Sequence, residues 1–151
     1  MPAITVDSPV GTLTVSERGG KIVRVCWGGA PEGAPTPVLT RAAAQLAAYF
    51  AGDLTEFDLP LDPGGNPLEA RVFAAMQAIP YGHTRTYGEI AAELGTYGQP
   101  VGQACGANPI PVIIPCHRVL AATGLGGYSG AGGVETKIAL LKLEGGYPLL
   151  L

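Results

Sequence analysis

The sequence predicts an α+β protein in two lobes. A small N-terminal antiparallel sheet with one helix precedes a C-terminal helical lobe that carries a helix-turn-helix and a distinctive cysteine. Three observations predict this. Short alternating apolar–polar segments crowd the first part of the chain. After a break at Pro63-Gly64-Gly65 the apolar residues recur at helical spacing instead. Hydrophobic residues make up 47 % and charged residues only 14 %, so the chain can bury a core despite 23 Gly and 14 Pro among 151 residues.

Taken in order, Ile4–Val6, Thr12–Ser16 and Lys21–Trp27 read as strands, the last two joined at Arg18-Gly19-Gly20. Thr36 or one of its neighbours can cap a helix over Pro37–Phe50, with Leu39, Ala43, Leu46 and Phe50 on one face. Asp53–Asp62 reads as extended, with Phe57, Leu59 and Leu61 alternating. Residues 1–63 therefore form one lobe and 64–151 the second. In the second, Pro67–Ile79 reads as a helix, through Leu68, Val72, Ala75, Met76 and Ile79. Thr86 and Glu89 form a capping box for a helix over Tyr87–Leu94. After the Gly95–Gly98 turn, Pro100 at a first helical position starts a helix that ends near Ala107. Two short helices around a Gly-containing turn are the shape of a helix-turn-helix. Val112–Ile114 is a buried apolar run, and six of the ten residues from Gly124 to Gly133 are Gly. The last helix spans Val134–Glu144.

The net charge of −3 and pI near 5.3 exclude a nucleic-acid binder that works by bulk positive charge. No run approaches the roughly 18 apolar residues of a membrane span. The N-terminus alternates and lacks a cationic head before an apolar stretch, so no signal peptide is expected. Three cysteines (Cys26, Cys105, Cys116) do not make a disulfide framework and fit a reducing cytoplasm.

The chemistry sits in Asn108-Pro109-Ile110-Pro111-Val112-Ile113-Ile114-Pro115-Cys116-His117-Arg118-Val119. Three prolines and an apolar run hold Cys116 beside His117 on a stiff frame. A neighbouring imidazole is what activates a thiol. Adjacent residues of an extended segment point to opposite sides, so a Cys–His contact needs a turn here or a bridging water. Glu144 is a candidate to orient the imidazole. Cys26 and Cys105 read as inert buried residues, Cys105 lying with Val101 and Ala104 on an apolar helix face.

Pro115-Cys116-His117-Arg118-Val119 resembles the active-site motif of the O6-alkylguanine-DNA alkyltransferases, the methylated-DNA–protein-cysteine methyltransferases. Ile79-Pro80-Tyr81-Gly82-His83-Thr84, Tyr87-Gly88-Glu89-Ile90-Ala91, Val101-Gly102, Ala107-Asn108-Pro109, Leu125-Gly126-Gly127-Tyr128-Ser129-Gly130 and Lys137 through Glu144-Gly145 fit the same family. Asp7-Ser8-Pro9-Val10-Gly11 and Phe57-Asp58-Leu59-Pro60 fit its first lobe, so the resemblance covers nearly the whole chain.

The resemblance implies an RNase H-like first lobe and a single-turnover repair reaction without a cofactor. A damaged guanine is flipped from the duplex and its O6-alkyl group moves to Cys116. His117 is implied as base through a water, Glu144 as its orienter and Asn108 as the brace of the turn. Tyr87, Val119, Tyr128 and Ser129 are implied to contact the base. Arg118 is implied to tie the turn to the lobe, and with Gln99 and Arg85 it is also a candidate for contact with DNA.

The family usually places an arginine at the start of its recognition helix, where this chain has Gln99. From Gly95 to Val134 the only formal charge is Arg118, leaving Arg71, Arg85, Lys137 and Lys142 as candidate phosphate contacts. Weak DNA binding with a shallow salt dependence is expected. The Gly126–Lys137 stretch is two residues longer than the family spacing. No metal, no membrane contact and a monomer are expected. The competing readings are a lesion-binding protein that transfers nothing, a Cys–His hydrolase or thiol transferase, and an alkyltransferase diverged toward small-molecule substrates.

Overall fold

The computed structural model describes residues 1–128 and 130–145, in two compact units, Met1–Gly64 and Gly65–Leu151. The first unit opens with strands β1 (Ala3–Val6), β2 (Leu13–Arg18) and β3 (Lys21–Trp27), an antiparallel sheet in that order. Ile4 lies opposite Val15 and Val15 opposite Val25, with a bulge at Ser16/Glu17. Helix α1 (Pro37–Phe50) starts where Thr36 accepts the Leu39 N–H. It buries Val38, Leu39, Ala42, Leu46 and Tyr49 rather than the stripe through Ala43 and Phe50, because Tyr49 supplies the larger ring to the core with Leu13, Val15 and Ile22. The segment after α1 is not a strand. Only Leu61 bridges to Ile22, and Gln45 on α1 pins it by exchanging hydrogen bonds with the Asp58 main chain.

The second unit begins with α2 (Pro67–Gln77), entered through a complete capping box of Asn66 and Glu69. It ends two residues earlier than the apolar spacing suggests, although Ile79 beyond it is still buried. Strand β4 (Arg85–Thr86) leads into α3 (Tyr87–Leu94), whose capping box of Thr86 and Glu89 is complete. Gly95 ends α3 at φ 70°, a left-handed geometry that favours glycine. Helix α4 runs Gly98–Gly106, two residues earlier than Pro100 would place its start. Pro is also tolerated there, because an N–H within the first turn has no intrahelical partner to lose.

Strand β5 (Val119–Leu120) pairs parallel to β4, Arg85 against Val119 and Thr86 against Leu120. That short ladder ties the chain just past the Cys-His-Arg segment to the start of α3. Helix α5 (Val134–Glu144) closes the unit and ends at a left-handed Gly145.

Candidate active site

The Cys116 segment is bent by main-chain bonds and one amide. Ile114 N–H donates to Ile110 O at 2.9 Å, Cys116 N–H to Ile114 O at 2.8 Å and Arg118 N–H to Pro115 O at 3.0 Å. Asn108 holds both ends: its Nδ2 donates to Ile114 O at 2.9 Å and its Oδ1 accepts from Ile110 N–H at 3.0 Å. The apolar run is therefore coiled rather than extended. Val112 takes φ 72°, among the described residues the only positive value outside glycine. For a β-branched residue this is a strained geometry. Pro115, unable to donate, precedes a 3-10 turn over Cys116–Arg118. The turn anticipated for a Cys–His arrangement is present.

His117 is fully buried, and its Nε2 lies 2.7 Å from Glu144 Oε2. A carboxylate accepts, so Nε2 carries the proton and Nδ1 carries the lone pair. Nδ1 is buried with no hydrogen-bond partner among the described residues. Arg118 grips the same carboxylate, Nε to Oε1 at 2.8 Å and Nη2 to Oε2 at 2.9 Å, and its Nη1 reaches Ile79 O at 2.7 Å. Burial pushes the His117 pKa down, against the pull of Glu144, whose charge Arg118 already balances. The imidazole is thus neutral and basic at Nδ1. Burial also pushes the Cys116 thiol up, opposed by hydrogen bonds from Asn108 and Tyr128 and by the Lys137 charge. The resting group is a thiol whose proton must be taken when it reacts.

Cys116 opens on a cavity of about 290 Å³. Tyr87 and the Gly127-Tyr128 pair line its sides, and α4 contributes Gly102, Cys105 and Gly106. Gly126 is required beside it. Its φ is 72°, and a Cβ there would lie 3.2 Å from both Ala121 N and Tyr87 Cε2. Burial first, and then the neighbouring Cys116 sulfur, raise the pKa of the Tyr128 phenol. Lys137 is fully buried and holds the cavity rim together. Its Nζ donates to Val119 O at 2.7 Å and Gly127 O at 3.0 Å, 6.0 Å from the centre of the Tyr87 ring. Desolvation lowers its pKa to about 8. The Cys105 thiol is pushed up to about 12 by burial and faces Met76 Sδ at 3.6 Å.

The structure brings together Cys116, His117, Glu144, Asn108, Tyr87, Tyr128 and Val119, the last with its carbonyl bonded to Lys137. Ser129 lies outside the described residues. Gln99 is exposed on α4, away from these contacts. Arg85 is half-buried and already paired with Glu93 at 2.6 Å. Two assignments are corrected. Arg118 is not a phosphate contact, because its guanidinium is buried and spent on Glu144 and Ile79. Lys137 is likewise interior, not a surface cation. The signal for Lys137 was present in the sequence: positions 137, 140, 141 and 144 form the buried stripe of α5, with charges at its two ends.

A buried thiol beside a neutral imidazole, set against a helix-turn-helix, defines a class: a protein that performs nucleophilic chemistry on a group delivered by nucleic acid. Comparison with known proteins narrows it. Residues 67–146 match the family model for the 6-O-methylguanine DNA methyltransferase DNA binding domain, and residues 3–63 match its ribonuclease-like domain. The chain belongs to the 6-O-methylguanine DNA methyltransferase family. It is 45 % identical to the methylated-DNA–protein-cysteine methyltransferase of Mycobacterium bovis, over 93 % of this chain and 90 % of that one. It is 38 % identical to the constitutive Bacillus subtilis enzyme of the same description, over 93 % of each chain. It superposes on the crystal structure of Mycobacterium tuberculosis O6-methylguanine methyltransferase at TM-score 0.85 and 42 % identity, covering 99 % of this chain and 96 % of that one. The M. tuberculosis protein in complex with DNA matches at TM-score 0.83 and 46 % identity, covering 93 % and 91 %.

Proposed function

We propose that this protein removes alkyl groups from O6-alkylguanine in double-stranded DNA by taking them onto Cys116, once per molecule. The observation that carries the residue assignment is Cys116 on the cavity wall beside His117, whose buried Nδ1 lone pair is free among the described residues while Nε2 is held by Glu144.

In this reading the flipped base enters the cavity between α4 and the Gly127-Tyr128 segment, with Tyr87 and Tyr128 beside it and Val119 and Ser129 at its edge. The Cys116 proton passes to His117 Nδ1 through a bridging water. The sulfur lone pair attacks the alkyl carbon in line, the carbon–O6 bond breaks, and the electron pair leaves on the guanine, which takes up a proton. Glu144 and Arg118 do not react. They fix the tautomer and balance the imidazolium as it forms. Asn108 keeps the turn from opening. A thioether is far more stable than an O-alkyl guanine, so no cofactor is needed and the sulfur is not regenerated. Gln99 and Arg85 face DNA. The protein acts as a monomer in the cytoplasm without membrane contact; no helix of the described residues is long and apolar enough to span one.

The test is intact mass after incubation with a duplex containing O6-methylguanine. A gain of one methyl, mapped to Cys116 and absent from Cys116→Ala, is expected. Tight lesion binding with no mass change would refute transfer.

A further inference from the structure

Tyr97 breaks a local rule without a visible gain to the fold. It is the N-cap of α4, in extended geometry (φ −118°, ψ 162°), and makes no side-chain cap hydrogen bond. Ser, Thr, Asp and Asn are the residues that stabilise a helix from this position. Its ring is instead 80 % exposed, the most exposed large apolar side chain among the described residues. The surface beside it is bare. A Cβ at Gly98 or Gly102 would meet nothing within 4 Å, and no formal charge lies between Gly95 and His117. Local rules that fail without compensation mark functional positions.

The position supplies the function. From Tyr97 to Gly102 on the cavity wall is about 7.5 Å along the helix, at 1.5 Å per residue. Stacked bases are about 3.4 Å apart, so that separation is on the order of two base steps. A helix that offers no cations gains little from phosphates. Stacking of an aromatic ring on a base face is the attraction left to it.

We propose that Tyr97 is a stacking wedge: its ring seats against the base stack of duplex DNA beside the flipped nucleotide and holds the substrate in place of a positive surface. This rests on the alkyl-transfer reading above, and the experiment separates the two. The rate of methyl transfer from an O6-methylguanine duplex is measured below saturation for the full chain and for Tyr97→Ala, Tyr97→Phe and Tyr97→Ser. Transfer from free O6-benzylguanine, which has no duplex to hold, and the melting temperature are measured alongside.

Tyr97→Ala is expected to slow the duplex reaction about tenfold, the worth of one base–aromatic stack. It should leave the salt slope and the free-base rate where they were. Tyr97→Phe should keep the duplex rate. Tyr97→Ser should raise the melting temperature, by supplying the missing cap, yet slow the duplex reaction as Ala does. An unchanged duplex rate in Tyr97→Ala overturns the wedge. So does an equal loss on free base, which would mean a structural role, or a loss in Tyr97→Phe, which would mean that the hydroxyl acts and not the ring. A wild-type chain that reacts with the free base but never with the duplex overturns the underlying reading as well.

Discussion

The two units bury polar groups in different ways. In Met1–Gly64 the buried polar residues are Thr14, Ser16 and Glu17, all on β2. Two of them have a local duty: Thr14 Oγ1 donates to Gly28 O, and Glu17 accepts the Gly20 N–H of the hairpin turn at 2.8 Å. Gly65–Leu151 buries Asn108, His117, Arg118, Lys137 and Glu144, and bends Val112 into a positive φ. Buried charges cost more stability than apolar groups of the same volume would. The first unit buries a single carboxylate, Glu17, in the service of its own hairpin turn. The second accepts that cost where a thiol, a base and a cavity must be held in fixed relation.

The largest break in the comparison is Glu144→Ala. It strands the Arg118 guanidinium and the His117 Nε2–H in the interior. Removing one partner of a buried pair costs about 3–5 kcal/mol, and transfer to Cys116 should fail with it. The matching carboxylate of the first unit is Asp58, which faces Arg41 at 3.8 Å with its side chain in solvent. Arg41 and Gln45 hold the Asp58 carbonyl rather than depend on the carboxylate. Asp58→Asn should leave the urea midpoint unmoved. Equal losses in the two variants would show that the Glu144 cluster is not electrostatically closed.

His117→Ala comes next, with an effect on rate more than on fold. Loss of a positioned base slows a proton-transfer step by roughly 10²–10⁴-fold, read from single-turnover alkylation near pH 7. The wild-type pH profile sharpens this. The His117 pKa is held below its ordinary 6.5 by burial, so the rate should be flat through neutrality and fall only on the acid side. Stability follows the same sign. With the folded pKa depressed, the unfolded chain binds more protons as pH drops. The stabilisation is complete above the ordinary His value and is lost as pH falls through the folded one. A rate that already declines between pH 8 and 7 would mean that the imidazole is not shielded in this way.

These contrasts also separate what was readable in the sequence from what was not. Helices α1, α3 and α5 carry their ends as residues: Thr36 with Pro37, the Thr86–Glu89 box, and Gly145 after Glu144. Local capping chemistry sets those boundaries, so they are legible. The start of α4 is not, because Tyr97 is no cap residue and Pro100 suits several first-turn positions. The site was legible in its residue types, through the Pro-Cys-His-Arg-Val motif. Its depth was not. Arg118 and Lys137 look like surface cations in a string of letters. Their burial is set by the carbonyls and the carboxylate that the fold brings to them, from Ile79, Val119, Gly127 and Glu144.

Lys137→Met tests that point with a smaller effect. Met keeps the volume and removes the donor, leaving the Val119 and Gly127 carbonyls without their ammonium. Each orphaned group costs about 1–3 kcal/mol, less where water reaches it. Because Gly127 sits on the cavity wall, transfer should slow while Cys116 stays present and reduced. Chemical denaturation and single-turnover rates read the two effects. A full-rate variant with lowered stability would confine Lys137 to the core.

The smallest difference applies one substitution to both units. Val15→Gly removes a fully buried side chain from the central strand, a loss of about 1.5–3 kcal/mol of burial with a further 0.5–1 kcal/mol for glycine in a strand. Val112→Gly removes a side chain as deeply buried, but glycine adopts φ 72° freely. The strain at such a position, of order 1–3 kcal/mol, is released and offsets most of the burial lost. Val112→Gly should therefore cost less than Val15→Gly by about 1.5–4 kcal/mol. Each variant must be read by a probe in its own unit, since the two need not unfold together. Trp27 fluorescence reports on the first unit, and protection of the Cys116 thiol from a bulky alkylating reagent reports on the second. Equal costs would mean that the Val112 backbone is relaxed, and that the turn under Cys116 is held by Asn108 and its main-chain bonds alone.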